Sequence, residues 1–177
     1  AACNFITEKK GGDGCIREIS DILIKGKYMK HDATEHKPGV SPNFLEPKDL
    51  GNRPWGNEIL LCHSKDNYMM KKLFIKKGNK GGLQYHRFKD EAGILLSGRM
   101  IIRFEGRNKV LVEKTIGPGD VFHFPPGVVH QEEAIEDCII IECGTPILND
   151  RVRMETYFNL GDPEGMPTTT VDEVDFG

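Results

Sequence analysis

From Ile59 onward the chain is a succession of short apolar segments broken by turn residues, and that pattern leaves few folds open. "EILLCH", "YMMKKLFIKK", "GGLQYHRF", "EAGILLSG", "MIIRFEG", "KVLVEKTIG", "DVFHFPP" and "CIIIECG" are rich in Ile, Val, Leu and Phe. Most are separated by turn signals: "SKDN", "KKGNKGG", "FEGRN", "GPGD" and "PPG". β-Branched and aromatic side chains suit a pleated sheet, and Gly, Asn, Asp and Pro supply turn dihedrals, so each segment reads as a strand. Strands this dense, with no helical segment between them, close into a barrel or stack as a two-sheet jelly roll. Several are apolar almost throughout, as in a curved sheet buried on both sides.

The flanks differ. "CIREISDILIKGKYM" fits either a short amphipathic helix or an extra strand. "EHKPGVSPNFLEPKDLGNRPWG" is proline-rich without a period and reads as an extended arm over the barrel. The end, "NLGDPEGMPTTTVDEVDFG", is polar and turn-rich, and is expected to be loosely held. The expected organisation is an N-terminal extension over residues 1–52, an all-β barrel over 53–158 and a short polar tail over 159–177.

With 177 residues the chain has enough material for one well-buried domain and little for two. Its formal charge is −3 and no block of five or more like charges occurs, so no nucleic-acid partner is expected. No apolar run approaches the roughly 20 residues that span a bilayer, so no membrane span is expected. "AACNFITEKKGG" lacks the basic-then-apolar pattern of a signal peptide, and it begins without methionine, as after processing or trimming. The five cysteines, Cys3, Cys15, Cys62, Cys138 and Cys143, are odd in number, and no two have CxxC spacing. Reduced, buried thiols in a cytoplasmic protein are the expectation.

Two stretches carry chemistry. In "GGLQYHRFKDEAGILLSG" strand alternation sends Gln84, His86 and Phe88 to one face, and Tyr85 and Arg87 to the other. A turn near Lys89 and Asp90 follows, and Glu91 opens the next strand, where it would meet Gln84 and His86 across a hairpin. Imidazole nitrogen, carboxylate oxygen and amide oxygen together suit a divalent metal of intermediate hardness. In "GPGDVFHFPPGVVHQEEA" the "PGD" and "PPG" turns bound a strand, and His130 follows as a candidate fourth ligand. His31, His36, His63 and His123 read as structural. Glu132 and Glu133, just after His130, are candidates for a rim general base and equally for exposed loop charges.

These stretches resemble the two motifs of the cupin superfamily. The first runs Gln84-x-His86-x4-Glu91-x6-Gly98, with Gln84 in the first histidine place; the second runs Gly119-x5-Pro125-x-Gly127-x2-His130. "LQYHRFKDE" is similar to the "LQxHxxRxE" of mannose-6-phosphate isomerases, including the cupin domain that ends bifunctional mannose-1-phosphate guanylyltransferase/isomerases. "RPWGNEILL" resembles that family's "KPWG" entry, and "IIIECGTPILNDRVRMETYF" its closing "IEVQ…DDIVRxEDxYGR". The similarity covers roughly Arg53 to Phe158. There are departures: the family's Arg-Ala-Glu-His-Trp is here Lys89, Asp90, Glu91, Ala92 and Gly93, and the Asn that often ends the second motif is Ala134.

The resemblance implies a cupin jelly-roll barrel gathering Gln84, His86, Glu91 and His130 around one divalent metal ion: zinc, with manganese or iron as alternatives. It implies an aldose–ketose isomerase acting on a sugar or sugar phosphate. Lys89 and Arg153 stand where the family keeps arginines, Arg87 is a further cation for a substrate phosphate, and Glu132 is the candidate base. Other metal-dependent cupin chemistry (dioxygenase, lyase, epimerase) and a non-catalytic small-molecule binder are the alternatives. A homodimer is expected, since many cupins pair through sheet edges and N-terminal arms.

Overall fold

The computed structural model describes residues 35–65, 67–163 and 165–176. The chain divides into two units, residues 1–43 and 44–177. In the first, residues 35–43 are exposed and carry a turn in which the Val40 N–H donates to the Lys37 carbonyl at 3.4 Å. "CIREISDILIKGKYM", with Cys3, Cys15 and His31, lies outside the described residues.

The second unit is all-β. Its strands are β1 (Lys48–Arg53), β2 (Gly56–Ser64), β3 (Tyr68–Ile75), β4 (Gln84–Tyr85), β5 (Glu91–Ser97), β6 (Met100–Glu105), β7 (Leu111–Ile116), β8 (Val121–Phe124), β9 (His130–Ala134), β10 (Cys138–Gly144) and β11 (Val152–Arg153). They form two antiparallel sheets, in the orders β1-β2-β3-β10-β5-β8 and β11-β4-β9-β6-β7. Lys48–Arg53, read from the sequence as part of the arm and the domain entry, pairs with β2.

The fold is a jelly roll of two sheets, and the expected closure into a continuous barrel does not occur: no ladder joins the sheets among the described residues. The reason lies at the corners. The chain crosses from sheet to sheet through 76–83, 117–120 and 125–129, where Gly and Pro supply turns and Pro125 and Pro126 have no N–H to donate.

Strand alternation divides the space between the sheets into two ends. At one end Ile75, Leu95, Phe124, Cys138 and Ile140 of the first sheet pack on Met100, Ile102, Ile116 and Ala134 of the second. Burying such side chains contributes about 1.5–3 kcal/mol each. At the other end the same inward positions carry charge: Glu58 on β2, Lys71 on β3, Glu142 on β10 and Glu91 on β5, all buried. Cys138 is buried in the core, whereas Cys143, expected inside, is exposed because alternation along β10 turns it outward beside Glu142.

The tail, expected to be loosely held, is tied to the segment before β11. The Thr169 N–H donates to the Arg151 carbonyl at 2.9 Å, Asn149 Nδ2 to the Glu173 carbonyl at 2.5 Å, and Asp175 N–H to Asn149 Oδ1 at 2.9 Å. Phe176 meets Phe88 edge to face at 5.3 Å. A polar composition says little about order when each polar group finds a fixed backbone partner.

Gly98, the last residue of the first motif, turns β5 into β6 at φ +87°. A Cβ there would lie 2.8 Å from Cys138 Sγ and closer still to the Asp137 carbonyl oxygen. Both constraints demand glycine. Gly98→Ala should therefore lower stability by about 1–3 kcal/mol, read as a reduced urea midpoint at unchanged slope; an unchanged midpoint would refute this reading of the turn.

Candidate metal centre

The residues after β4 do not form the hairpin that the sequence suggested. β4 belongs to the second sheet and β5 to the first, so 86–90 is a crossing loop. Its backbone donors go elsewhere. Asp150 Oδ2 accepts the N–H groups of Phe88 at 2.6 Å and Lys89 at 3.0 Å, and Thr145 Oγ1 accepts that of Asp90 at 3.1 Å. The His86 carbonyl accepts the Gly127 N–H at 2.8 Å, tying the first motif to the second.

This loop and the start of β9 bring His86, Glu91 and His130 together in the interior. His86 Nε2 lies 3.1 Å from Glu91 Oε1, and His130 Nε2 lies 3.2 Å from the same oxygen. Taken one atom per residue, the three candidate ligand atoms lie within 4.8 Å of one another. Each ring is oriented from behind: His86 Nδ1 bonds the Asp150 carbonyl, and His130 Nδ1 the Val128 carbonyl at 3.0 Å. Phe124 stacks on His130 at 4.1 Å between centroids. A neutral imidazole that donates from Nδ1 keeps a lone pair on Nε2. Two such lone pairs and a carboxylate oxygen, buried and converging, repel one another unless a cation or protons lie among them. A metal-ligating histidine is held in the same way, by a carbonyl on its far nitrogen. The donor set therefore fits a divalent ion.

Charge behind the site favours the ionised carboxylate. Burial raises the Glu91 pKa, but the Lys89 ammonium and the two histidines outweigh it and hold the carboxyl well below the usual range. Burial lowers the His130 pKa, and Glu91 with Glu132 reverses this and raises it. Lys89 bonds Glu91 Oε2, and Glu142 Oε1 at 3.0 Å. Lys71 lies 3.7 Å from Glu142 and 2.7 Å from Glu58, which accepts from Arg53 Nε at 3.0 Å. Arg53, Glu58, Lys71, Glu142, Lys89 and Glu91 thus form one alternating line of charge.

These residues and the three candidate ligands line a single cavity of about 290 Å3. Gln84 lines it too; its backbone pairs with His130, and its side chain is half-buried. Glu132 and Arg153 line it as well. Burial pushes the Glu132 carboxyl pKa up against the pull of His130. Arg153 is held by both oxygens of Glu155, and Gly82, lacking a Cβ, leaves room for its guanidinium. Lys89 faces the cavity but is committed to two carboxylates, which keep its pKa above the ordinary value despite burial. Arg87 is not among the lining residues: its guanidinium donates to the Thr169 carbonyl at 2.7 Å and lies 3.8 Å from Asp150 Oδ1. Glu133 turns to the outer face, where Arg103 takes it. His123 pairs with Asp90 on the surface at 2.8 Å.

Glu58, Lys71, Glu142 and Asp150 were not singled out from sequence. A signal for three of them was present. Glu142 shares strand parity with Cys138 and Ile140, and Lys71 with Met69, so a charge falls on the inward face of an apolar strand. Glu58 occupies the same face of β2. Asp150 sits in a loop, where no periodicity applies.

A cupin domain family model matches residues 73–143, the segment that holds the first motif and His130. A germin-like protein, subfamily T member 3, of Arabidopsis thaliana is 45% identical over 42 residues, 24% of this chain and 18% of that protein. The capsular polysaccharide assembling protein CapF of Staphylococcus aureus superposes with a TM-score of 0.50 at 21% identity, over 57% of this chain and 31% of CapF. KdgF from Halomonas sp. superposes with a TM-score of 0.47 at 23% identity, over 58% of this chain and 86% of KdgF. The chain thus spans less than a third of the germin-like protein and of CapF, and the structural likeness concerns the cupin fold alone.

Two experiments probe the cavity. Elemental mass spectrometry on protein purified without chelators should find close to one divalent ion per chain, lost in His86→Ala and held at least tenfold more weakly in Asp150→Ala, whose loop loses its clamp. No metal under any loading condition would refute the centre. The second concerns Glu58. Burial raises its pKa, but Lys71 and Arg53 together bring it below the ordinary 4.5. Its stabilisation is complete above the unfolded pKa and disappears as pH falls through the folded one. Glu58→Gln should cost about 1–3 kcal/mol near neutrality, and its melting temperature should converge on that of the parent between about pH 5 and pH 3.

Proposed function

We propose that this cupin is a metal-dependent aldose–ketose isomerase acting on a sugar or sugar phosphate, with mannose 6-phosphate as the first substrate to test. The observation that carries the reading is the shared cavity: a carboxylate, Glu132, and a held guanidinium, Arg153, line it with His86, Glu91 and His130. Glu132 lies two residues beyond His130 on β9, hence on the same face. It makes no salt bridge within 4.0 Å among the described residues.

In this reading His86, Glu91 and His130 hold the ion, and Gln84 stands beside them to contact it directly or through water. A divalent cation bound there would supply Lewis-acid polarisation of the substrate carbonyl and the neighbouring hydroxyl oxygen. The Glu132 carboxylate takes a proton from the carbon beside the carbonyl and returns it to the former carbonyl carbon, while the hydroxyl proton passes to the carbonyl oxygen. Nothing is gained or lost overall. Lys89 keeps Glu91 ionised rather than moving a proton itself. Arg153 presents a fixed donor to the substrate.

A binding role without turnover is the second reading, and Lys89 favours it: the cation in the family's arginine place is already paired with two carboxylates. Interconversion of mannose 6-phosphate and fructose 6-phosphate, followed by NMR in deuterated water on zinc-, manganese- and iron-loaded protein, separates the two. The isomerase reading expects turnover with deuterium entering the substrate, and a loss of about 100-fold or more in kcat in Glu132→Gln with KM little changed. No turnover and no exchange with any metal would leave the binding role.

A further inference from the structure

Of the buried and half-buried cations that line the cavity, Arg151 is the one without a salt bridge among the described residues. Arg53 lies 2.9 Å from Glu58, Lys71 lies 2.7 Å from Glu58, Lys89 pairs with Glu91 and Glu142, and Arg153 pairs with Glu155. Arg151, half-buried just before β11, lines the same cavity. Among the described residues its side chain makes a 3.5 Å approach of Nη2 to the Leu148 carbonyl and no salt bridge within 4.0 Å. Burial and the repulsion of Arg53 and Arg153 lower its pKa, against the attraction of Glu58 and Asp150. A half-buried guanidinium near two others, with no salt bridge among the described residues, is stabilised by an anion that meets it.

The geometry points to an oxyanion subsite at Arg151, flanked by Arg53 and Arg153, that takes the phosphate or carboxylate group of the small molecule entering the cavity. The flanking arginines are held by their carboxylates, while Arg151 supplies a guanidinium that forms no salt bridge among the described residues. A planar guanidinium suits two oxygens of one such group. Arg151 stands where the isomerase motif "DDIVR" has isoleucine, so the subsite belongs to this chain and is not carried over from the resemblance. The proposal rests on the cavity being a substrate site and narrows the substrate to an anionic one. It does not need the isomerase chemistry.

The test is calorimetric titration of the full chain with inorganic phosphate and with acetate, before and after stripping with a chelator. Stripping removes direct binding of either anion to a metal, so binding that persists belongs to the arginines. We expect one of the two anions to bind the stripped protein, and Arg151→Ala to weaken it at least tenfold. Arg151→Gln, which retains polarity and length, should do the same and serves if the alanine variant does not fold. Preference for phosphate identifies a phosphorylated substrate, and preference for acetate a sugar acid or similar carboxylate. Binding of neither anion to the stripped protein, or equal binding by the folded Arg151 variants, overturns the subsite. Absence of isomerase turnover with anion binding intact would remove the proposed reaction and leave the subsite standing.

Discussion

The Glu91 carboxylate is the joint on which the interior depends. One oxygen faces two imidazole nitrogens, and the other is bonded by Lys89. From Lys89 the line runs through Glu142, Lys71 and Glu58 to Arg53. Every one of these groups would be costly inside alone, because burial penalises a charge that has no partner. Together they compensate one another, so the first sheet can carry ionised side chains on its inner face without losing its packing. The arrangement also sets what the candidate site suits, since the lone pairs that converge at Glu91 Oε1 fit a cation.

Asp150 links this interior to the chain's last segment. Its carboxylate caps the crossing loop through two backbone N–H groups, and its carbonyl sets the ring of His86. The neighbouring Asn149 and Arg151 hold the tail. One short segment before β11 therefore orients a candidate ligand, positions an arginine at the cavity and docks residues that would otherwise be free. Disturbing the tail should be felt at the site through Arg87, which bonds the tail and lies beside Asp150.

The two ends of the fold serve different purposes through one rule. Inward positions alternate along each strand, and whether they carry aliphatic or charged side chains divides core from site. On β10 the inward residues are Cys138, Ile140 and then Glu142; on β5 they are Leu95, Gly93 and Glu91. The apolar end holds the hydrophobic core, and the polar end is tied together by hydrogen bonds and ion pairs.

The sequence by itself determined most of the strands, the turn glycines and three candidate metal ligands, because strand alternation and motif spacing are local properties. His86, Glu91 and His130 could be read from "QYHRFKDE" and "PPGVVH" because the motifs preserve the spacing that sheet geometry requires. The tertiary structure alone decided that 86–90 crosses between sheets, that Lys89 is held by Glu91 and Glu142, that Arg87 turns to the tail and that Arg151 forms no salt bridge among the described residues. Partners far apart in sequence decide each of these: Lys89 meets Glu142 across 53 positions, and His86 meets Asp150 across 64. Local pattern can say that a side chain points inward. Only the packing of distant strands says what it meets there.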